Sequence, residues 1–268
     1  MAIWTSLFPL NNSFDIPIKS PSEITKDAVT TTSIFRSFPS SGLNLQQVIS
    51  YYKLVGLDVE PIILRDEDDD GTIITDPNIV QEIVKAYINC NIPLLATLTL
   101  KRSGAADTYH AVVISGYKLD DEDNISCFYV HDNSIGPYTE TTPVSNYTEW
   151  SNEWTTEYGY SLVRLDKILI PIYPKLRLTF PRIYAIYRDI QNRRKNLDFE
   201  LNLFQINDYK TKLLSSNIVD KINILSIELP KYIWVISAKY DNNYLYDYVL
   251  DATSVFPNKI LEVQYSND

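Results

Sequence analysis

Cysteine is nearly absent from this chain of 268 residues: the two present are Cys90 and Cys127, and none occurs in the first 89 residues. Two thiols cannot build a disulfide framework, which excludes the small, disulfide-stapled class of secreted domain. Histidine is equally scarce, with only His110 and His131 available to any metal or acid–base site. No run approaches the roughly 20 apolar residues that span a bilayer. The first ten residues are mildly apolar, but they lack a basic flank and are interrupted by Thr5, Ser6 and Pro9, unlike a secretory signal. A cytoplasmic setting is the expectation.

Positive charge is also short. Lys and Arg number 24 against 34 Asp and Glu, a formal net charge of -10 with a pI near 4.7. Nucleic acids and anionic membranes, both bound through basic side chains, are therefore not expected partners. The local exception is Arg188, Arg193, Arg194 and Lys195, which reads as the solvated face of a helix.

Ring surface is plentiful. Twenty Tyr, nine Phe and a hydrophobic fraction of 45% describe a chain that folds around a core. Its length suits one domain with a smaller companion, with residues 1–173 as the first and 174–268 as a C-terminal α+β extension. The expected class is mixed α+β.

Helical spacing of Leu45, Val48, Ile49, Tyr52 and Val55 predicts a helix over Leu43 to Leu57, followed by a strand from Val59 to Leu64. Asp76-Pro77 opens a second helix carrying Ile79, Val80, Ile83, Val84 and Tyr87 inward. Strands are then expected at Leu94 to Leu100, Ala111 to Tyr117 and Phe128 to His131, with Val113-Ile114 set against Phe128-Tyr129 in an antiparallel hairpin. Ser161 to Ile172 reads as another strand. In the extension, Ile183 to Lys195 is helix-like, while Ile222 to Ile227, Tyr232 to Tyr240 and Tyr244 to Leu250 read as strands that join the first sheet or form their own.

The stretch richest in chemistry is Thr108-Tyr109-His110-Ala111-Val112-Val113, answered by Phe128-Tyr129-Val130-His131-Asp132-Asn133. His110 opens one strand and Asp132 closes the next. In an antiparallel hairpin those positions are neighbours, and a carboxylate there orients an imidazole and stabilises its cation. In these residues, and in the helix and strand of Leu43 to Leu64 and the helix and strand of Ile79 to Leu100 ahead of them, the chain resembles the papain-like peptidase superfamily, particularly the branch of bacterial double-glycine leader peptidases, where the first helix ends near a Leu-Gly-Leu element. The likeness covers roughly Leu43 to Tyr138. It implies a papain-like core with an antiparallel sheet packed on helices, His110 as base and Asp132 as its orienter.

The nucleophile breaks the pattern. Papain-like enzymes carry a Cys at the N-terminus of the first core helix, where the helix dipole lowers the thiol pKa, and no Cys precedes Cys90 here. Cys90 and Cys127, at the edges of strands, suit small buried apolar residues. Ser20, Ser22, Thr25, Thr30, Thr31, Thr32 and Ser33 offer hydroxyls in place of the thiol, with nothing to single one out. The expected function is thus a non-catalytic, pseudo-peptidase protein that binds a peptide or protein partner without a cofactor. The alternative is a peptidase or acyl hydrolase or transferase using His110 and Asp132 with a Ser or Thr nucleophile.

A metal-dependent enzyme is the remaining reading, from His110, His131 and Asp132, although adjacent strand residues point to opposite faces. Asp66 to Ile73 begins like a calcium-binding loop, but Pro77 stands where a bidentate Glu belongs, so an acidic turn is expected. Asp251, after the last long apolar run, reads as a turn-capping residue.

Overall fold

The computed structural model describes residues 22–23, 26–27, 43–66, 72–173 and 175–266. They divide into two units. The first comprises residues up to Val84 together with Pro93–Pro174, and the second Lys85–Ile92 together with Lys175–Asp268. The fold is mixed α+β, and each unit is built on its own antiparallel sheet.

In the first unit, helix α1 (Leu45–Leu54) is started by a capping box. The Asn44 side chain accepts from the Gln47 N–H while Gln47 accepts from the Asn44 N–H, satisfying two donors that a helix start leaves open. Its buried residues are Gln47, Tyr51 and Tyr52, so the helix turns a more polar side inward than its apolar spacing predicted. Strand β1 (Asp58–Ile63) follows, then helix α2 (Ile79–Asn89), whose Val80, Ile83 and Val84 are fully buried. Arg65 bridges to Ile73 across the acidic turn, and the Asp66 N–H donates to the Thr72 carbonyl. The rest of that turn lies outside the described residues.

Six further strands complete this sheet: β2 (Leu94–Lys101), β3 (Thr108–Leu119), β4 (Ile125–Asp132), β5 (Gly136–Pro143), β6 (Glu149–Ser151) and β7 (Leu162–Ile172). They run β7-β2-β3-β4-β5-β6, and β6 pairs again with β7, so the ring closes as a six-stranded antiparallel barrel with β1 added along β7. A closed barrel differs from the antiparallel sheet packed on helices that the resemblance implied. It depends on β5, where Gly, Pro and Thr leave no alternation of apolar and polar residues, and on β6, which is only three residues long. The predicted hairpin forms with a shifted register: Val113 faces His131 and Ile114 faces Val130, and the register slips again before Gly116 meets Tyr129. At Gly116 an added Cβ would lie 3.2 Å from a ring carbon of Tyr129.

Phe128 and Trp150, with ring centroids 5.3 Å apart, meet although their strands are not neighbours. They therefore mark the barrel interior. Alternation along each strand adds Ile114, Val112, Val130, Val163 and Leu165 to it, all at most 2% exposed. One-turn helix α3 (Glu153–Thr156) follows β6.

The second unit opens with helix α4 (Phe180–Arg193), which has Pro181 in its first turn, where no donor is lost. Of the basic run, Arg188 lies within the helix, Arg193 ends it, and Arg194 and Lys195 follow it. Strand β8 (Asp198–Gln205), helices α5 (Ile206–Ser215) and α6 (Lys221–Ser226), and strands β9 (Tyr232–Tyr240), β10 (Asn243–Asp251) and β11 (Lys259–Gln264) complete it. The strands form their own sheet in the order β11-β10-β9-β8. Residues 222–227, expected as a strand, are largely helix α6, because packing Ile224 against Tyr209, Leu213, Val249 and Val263 overrides local β preference. Phe180 and Trp234 meet on the opposite face, where Tyr87 also contacts both rings. Asp251 accepts from the N–H and hydroxyl of Thr253, which is the capping turn expected there.

Candidate functional site

His110 and Asp132 share the inward face at one end of the barrel. Because Val113 opposes His131, position 132 faces position 112, and His110 lies one pleat further along the same side. The imidazole Nε2 is 3.0 Å from Asp132 Oδ1. The carboxylate is buried, at 1% exposure, whereas the His110 side chain keeps 15%. The pair is therefore closed on the Asp132 side and open on the imidazole side.

Asp132 has further donors. The Trp154 indole Nε1–H donates to Oδ2 at 2.8 Å, and the Ser134 N–H donates to Oδ1 at 2.8 Å. Burial pushes the carboxyl pKa up, but the bonds from His110, Trp154 and Ser134 outweigh it and hold Asp132 below the usual carboxylate range. An ionised carboxylate only accepts, so Nε2 carries the proton it shares, and in the neutral ring Nδ1 keeps its lone pair.

Trp154 is the member of the cluster that sequence reasoning missed. It sits on α3, whose capping box uses Asn152 and Thr155; the Asn152 side chain accepts from the Trp154 N–H and donates to Thr141 of β5. The cap thus moors the short helix to the barrel wall. The indole packs 5.2 Å from the His110 ring, 5.5 Å from Tyr158 and 5.3 Å from Tyr160, and the Arg102 guanidinium lies 4.5 Å over Tyr160. The only local signal was an Asn three residues ahead of a hydroxyl residue, which marks a helix start but says nothing of a distant carboxylate.

The same unit has a groove of about 620 Å³, lined by Ile135, Tyr138, Thr139, Glu140, Asn152 and Glu153 among others but not by His110, Asp132 or Trp154 themselves. Its walls follow Asp132 and flank Trp154 in the chain. They are mostly polar.

The other sequence candidates lie apart. His131 faces the outer side of β4, where its ring meets Tyr138 edge-on at 4.5 Å and burial lowers its pKa. Strand alternation thus separates the two histidines, and they do not converge with Asp132 on one ion. Among the described residues no group of three or more His, Cys, Asp or Glu is placed to hold a metal. Both cysteines are buried. Burial pushes the Cys90 thiol up to about 12 and raises Cys127 as well. Of the hydroxyl candidates only Ser22 lies within the described residues, and it is exposed. Among the described residues no Cys, Ser or Thr side chain hydrogen-bonds His110.

A second buried polar group lies on the outer face of the barrel. Asp166 accepts from Arg164 at 3.0 Å and from the Thr99 hydroxyl at 2.5 Å, while Arg65 donates to Thr148 at 2.8 Å and pairs with Glu149. Burial, reinforced by the nearby Arg164, lowers the Arg65 pKa. Charges of both signs answer one another here, so the group ties β7 to its neighbours.

No helix among the described residues is long and apolar enough to cross a membrane. Comparison with models of protein families, with curated proteins and with solved structures returned no match.

Proposed function

We propose that the barrel end around His110, Asp132 and Trp154 is the binding site of a papain-like scaffold that holds a peptide or protein partner without cleaving it. The observation that supports this reading is the built pair itself: a buried carboxylate held by His110, Trp154 and the Ser134 and Ile135 N–H groups, set against a partly open imidazole to which no thiol or hydroxyl of the described residues is hydrogen-bonded. His110 offers a hydrogen bond or a charge to a partner, and the rings of Trp154, Tyr158 and Tyr160 offer flat apolar surface of the kind that anchors bound chains.

The test is selection of a displayed peptide library on the wild type and on His110→Ala, with circular dichroism showing that the variant is folded. Peptides enriched by the wild type should be lost from the variant. Recovery of the same set by both proteins would remove the barrel end from the binding site.

One observation favours a second reading, an acyl hydrolase or transferase. An ionised Asp132 leaves His110 Nδ1 free to accept the proton of an attacking hydroxyl as its oxygen bonds to the acyl carbon, and the imidazolium then returns that proton to the leaving group. The hydroxyl would come from the Ser20 to Ser33 segment. Turnover of peptide or activated-ester substrates by the wild type, lost in His110→Ala, would establish this reading and refute the non-catalytic one.

A further inference from the structure

The second unit has a slot that the barrel site does not involve. Helix α4 runs over the sheet face that carries Trp234, whose indole donates to the Leu178 carbonyl at 2.8 Å. Trp234 pairs with Leu250 across β9 and β10, and alternation brings Tyr248 to the same face. Between this side of β10 and the C-terminal half of α4 lies a cavity of about 300 Å³. Its floor is apolar: Ile186 and Ile190, one turn apart on α4, face Tyr248 and Leu250. Both isoleucines stay partly exposed rather than packed shut.

The rim is cationic. Arg193, Arg194 and Lys259 line it, in a chain whose net charge is -10. Two of the three are already answered, Arg193 by Asp189 at 2.9 Å and Lys259 by Glu262 at 2.9 Å. Arg194 is not. Its guanidinium lies 5.3 Å over the Tyr246 ring and donates to the Tyr246 hydroxyl at 2.5 Å, and among the described residues it pairs with no carboxylate. A neutral phenol positions the guanidinium without cancelling its charge.

We propose that this slot binds a small aliphatic carboxylate, with the chain over Ile186, Ile190 and Leu250 and the carboxylate on Arg194. A guanidinium matches a carboxylate through two parallel N–H donors, and the apolar floor removes the chain from water. At about 300 Å³ the cavity stands at the small end of ligand sites, which restricts the ligand to a short or medium chain.

The test is calorimetric titration of the full chain with decanoate, decanol and acetate, repeated on Arg194→Ala and Ile190→Glu after circular dichroism has confirmed that both are folded. Saturable binding of decanoate is expected, with affinity about tenfold lower or worse for decanol, which lacks the charge, and no measurable binding of acetate, which lacks the chain. Arg194→Ala should lose the preference of decanoate over decanol, and Ile190→Glu should abolish both. The proposal is overturned by absence of saturation below the aggregation limit of decanoate, or by unchanged affinity in Arg194→Ala. Binding to anionic phospholipid vesicles that decanoate does not compete would overturn it too, making the basic rim a membrane-facing surface instead.

Discussion

Replacing Trp154 with phenylalanine removes one donor from a buried carboxylate while leaving an aromatic ring in its place. The Nε1–H bond to Asp132 Oδ2 is 2.8 Å long, and Asp132 is 1% exposed, so water does not readily replace the lost donor. A hydrogen bond to a charged group contributes roughly 1.5–3 kcal/mol. Shrinking indole to phenyl against Tyr158 and Tyr160 costs about 1 kcal/mol more through lost packing. The two losses differ in their pH dependence. Asp132 is held below the ordinary carboxylate range, so its contribution is fully present above that range and is lost as pH falls through the folded-state value. The substitution raises the folded-state pKa. The hydrogen-bond part of the deficit should therefore be full at neutral pH and fade in acid, while the packing part persists. Urea unfolding followed by far-ultraviolet circular dichroism at pH 7, 5 and 3 separates them. A deficit of the same size at all three values would refute the role given to the indole N–H.

In the second unit, Tyr209, Tyr265 and Lys212 all donate to Oδ2 of the fully buried Asp247, at 3.0, 2.8 and 3.3 Å. Tyr209→Phe and Tyr265→Phe should each cost about 1–3 kcal/mol in urea unfolding, and the double variant less than their sum because they share one acceptor. Burial, then the charge of Asp247, raises both phenol pKa values, so spectrophotometric titration should find neither ionising before the protein unfolds in alkali. Cys90 and Cys127, with thiols kept protonated by burial, should resist iodoacetamide at pH 8 in the native protein and both react in denaturant, as mass spectrometry would count.

How much of the site could be read in advance differs sharply between its members. His110 and Asp132 were legible because one opens a β-branched, apolar run, the other closes the next, and a polar turn joins the two runs, so a hairpin alone makes them neighbours. The register slip near Ser115 did not disturb this, since it lies on the far side of the pair from the barrel end. Trp154 was not legible. Its partner is 22 residues away, and the one-turn helix carrying it is placed by Asn152 bonding to β5, a strand without apolar alternation. Residues 222–227 show the same limit in the other unit, where a β-prone run became helix because Ile224 had a cluster to fill.

The amino-acid sequence by itself determined the mixed class, the principal strands of the first unit, the burial of both cysteines and the meeting of an imidazole with a carboxylate. These follow from local periodicity and from the geometry of adjacent strands. Only the tertiary structure decided that the first sheet closes into a barrel, that an indole completes the shell of Asp132, that His131 faces away, and that Arg194, held by Tyr246 and paired with no carboxylate among the described residues, stands above an apolar slot. Each of those depends on contacts between segments far apart in the chain, where burial and hydrogen-bond satisfaction outweigh the preferences of any single stretch.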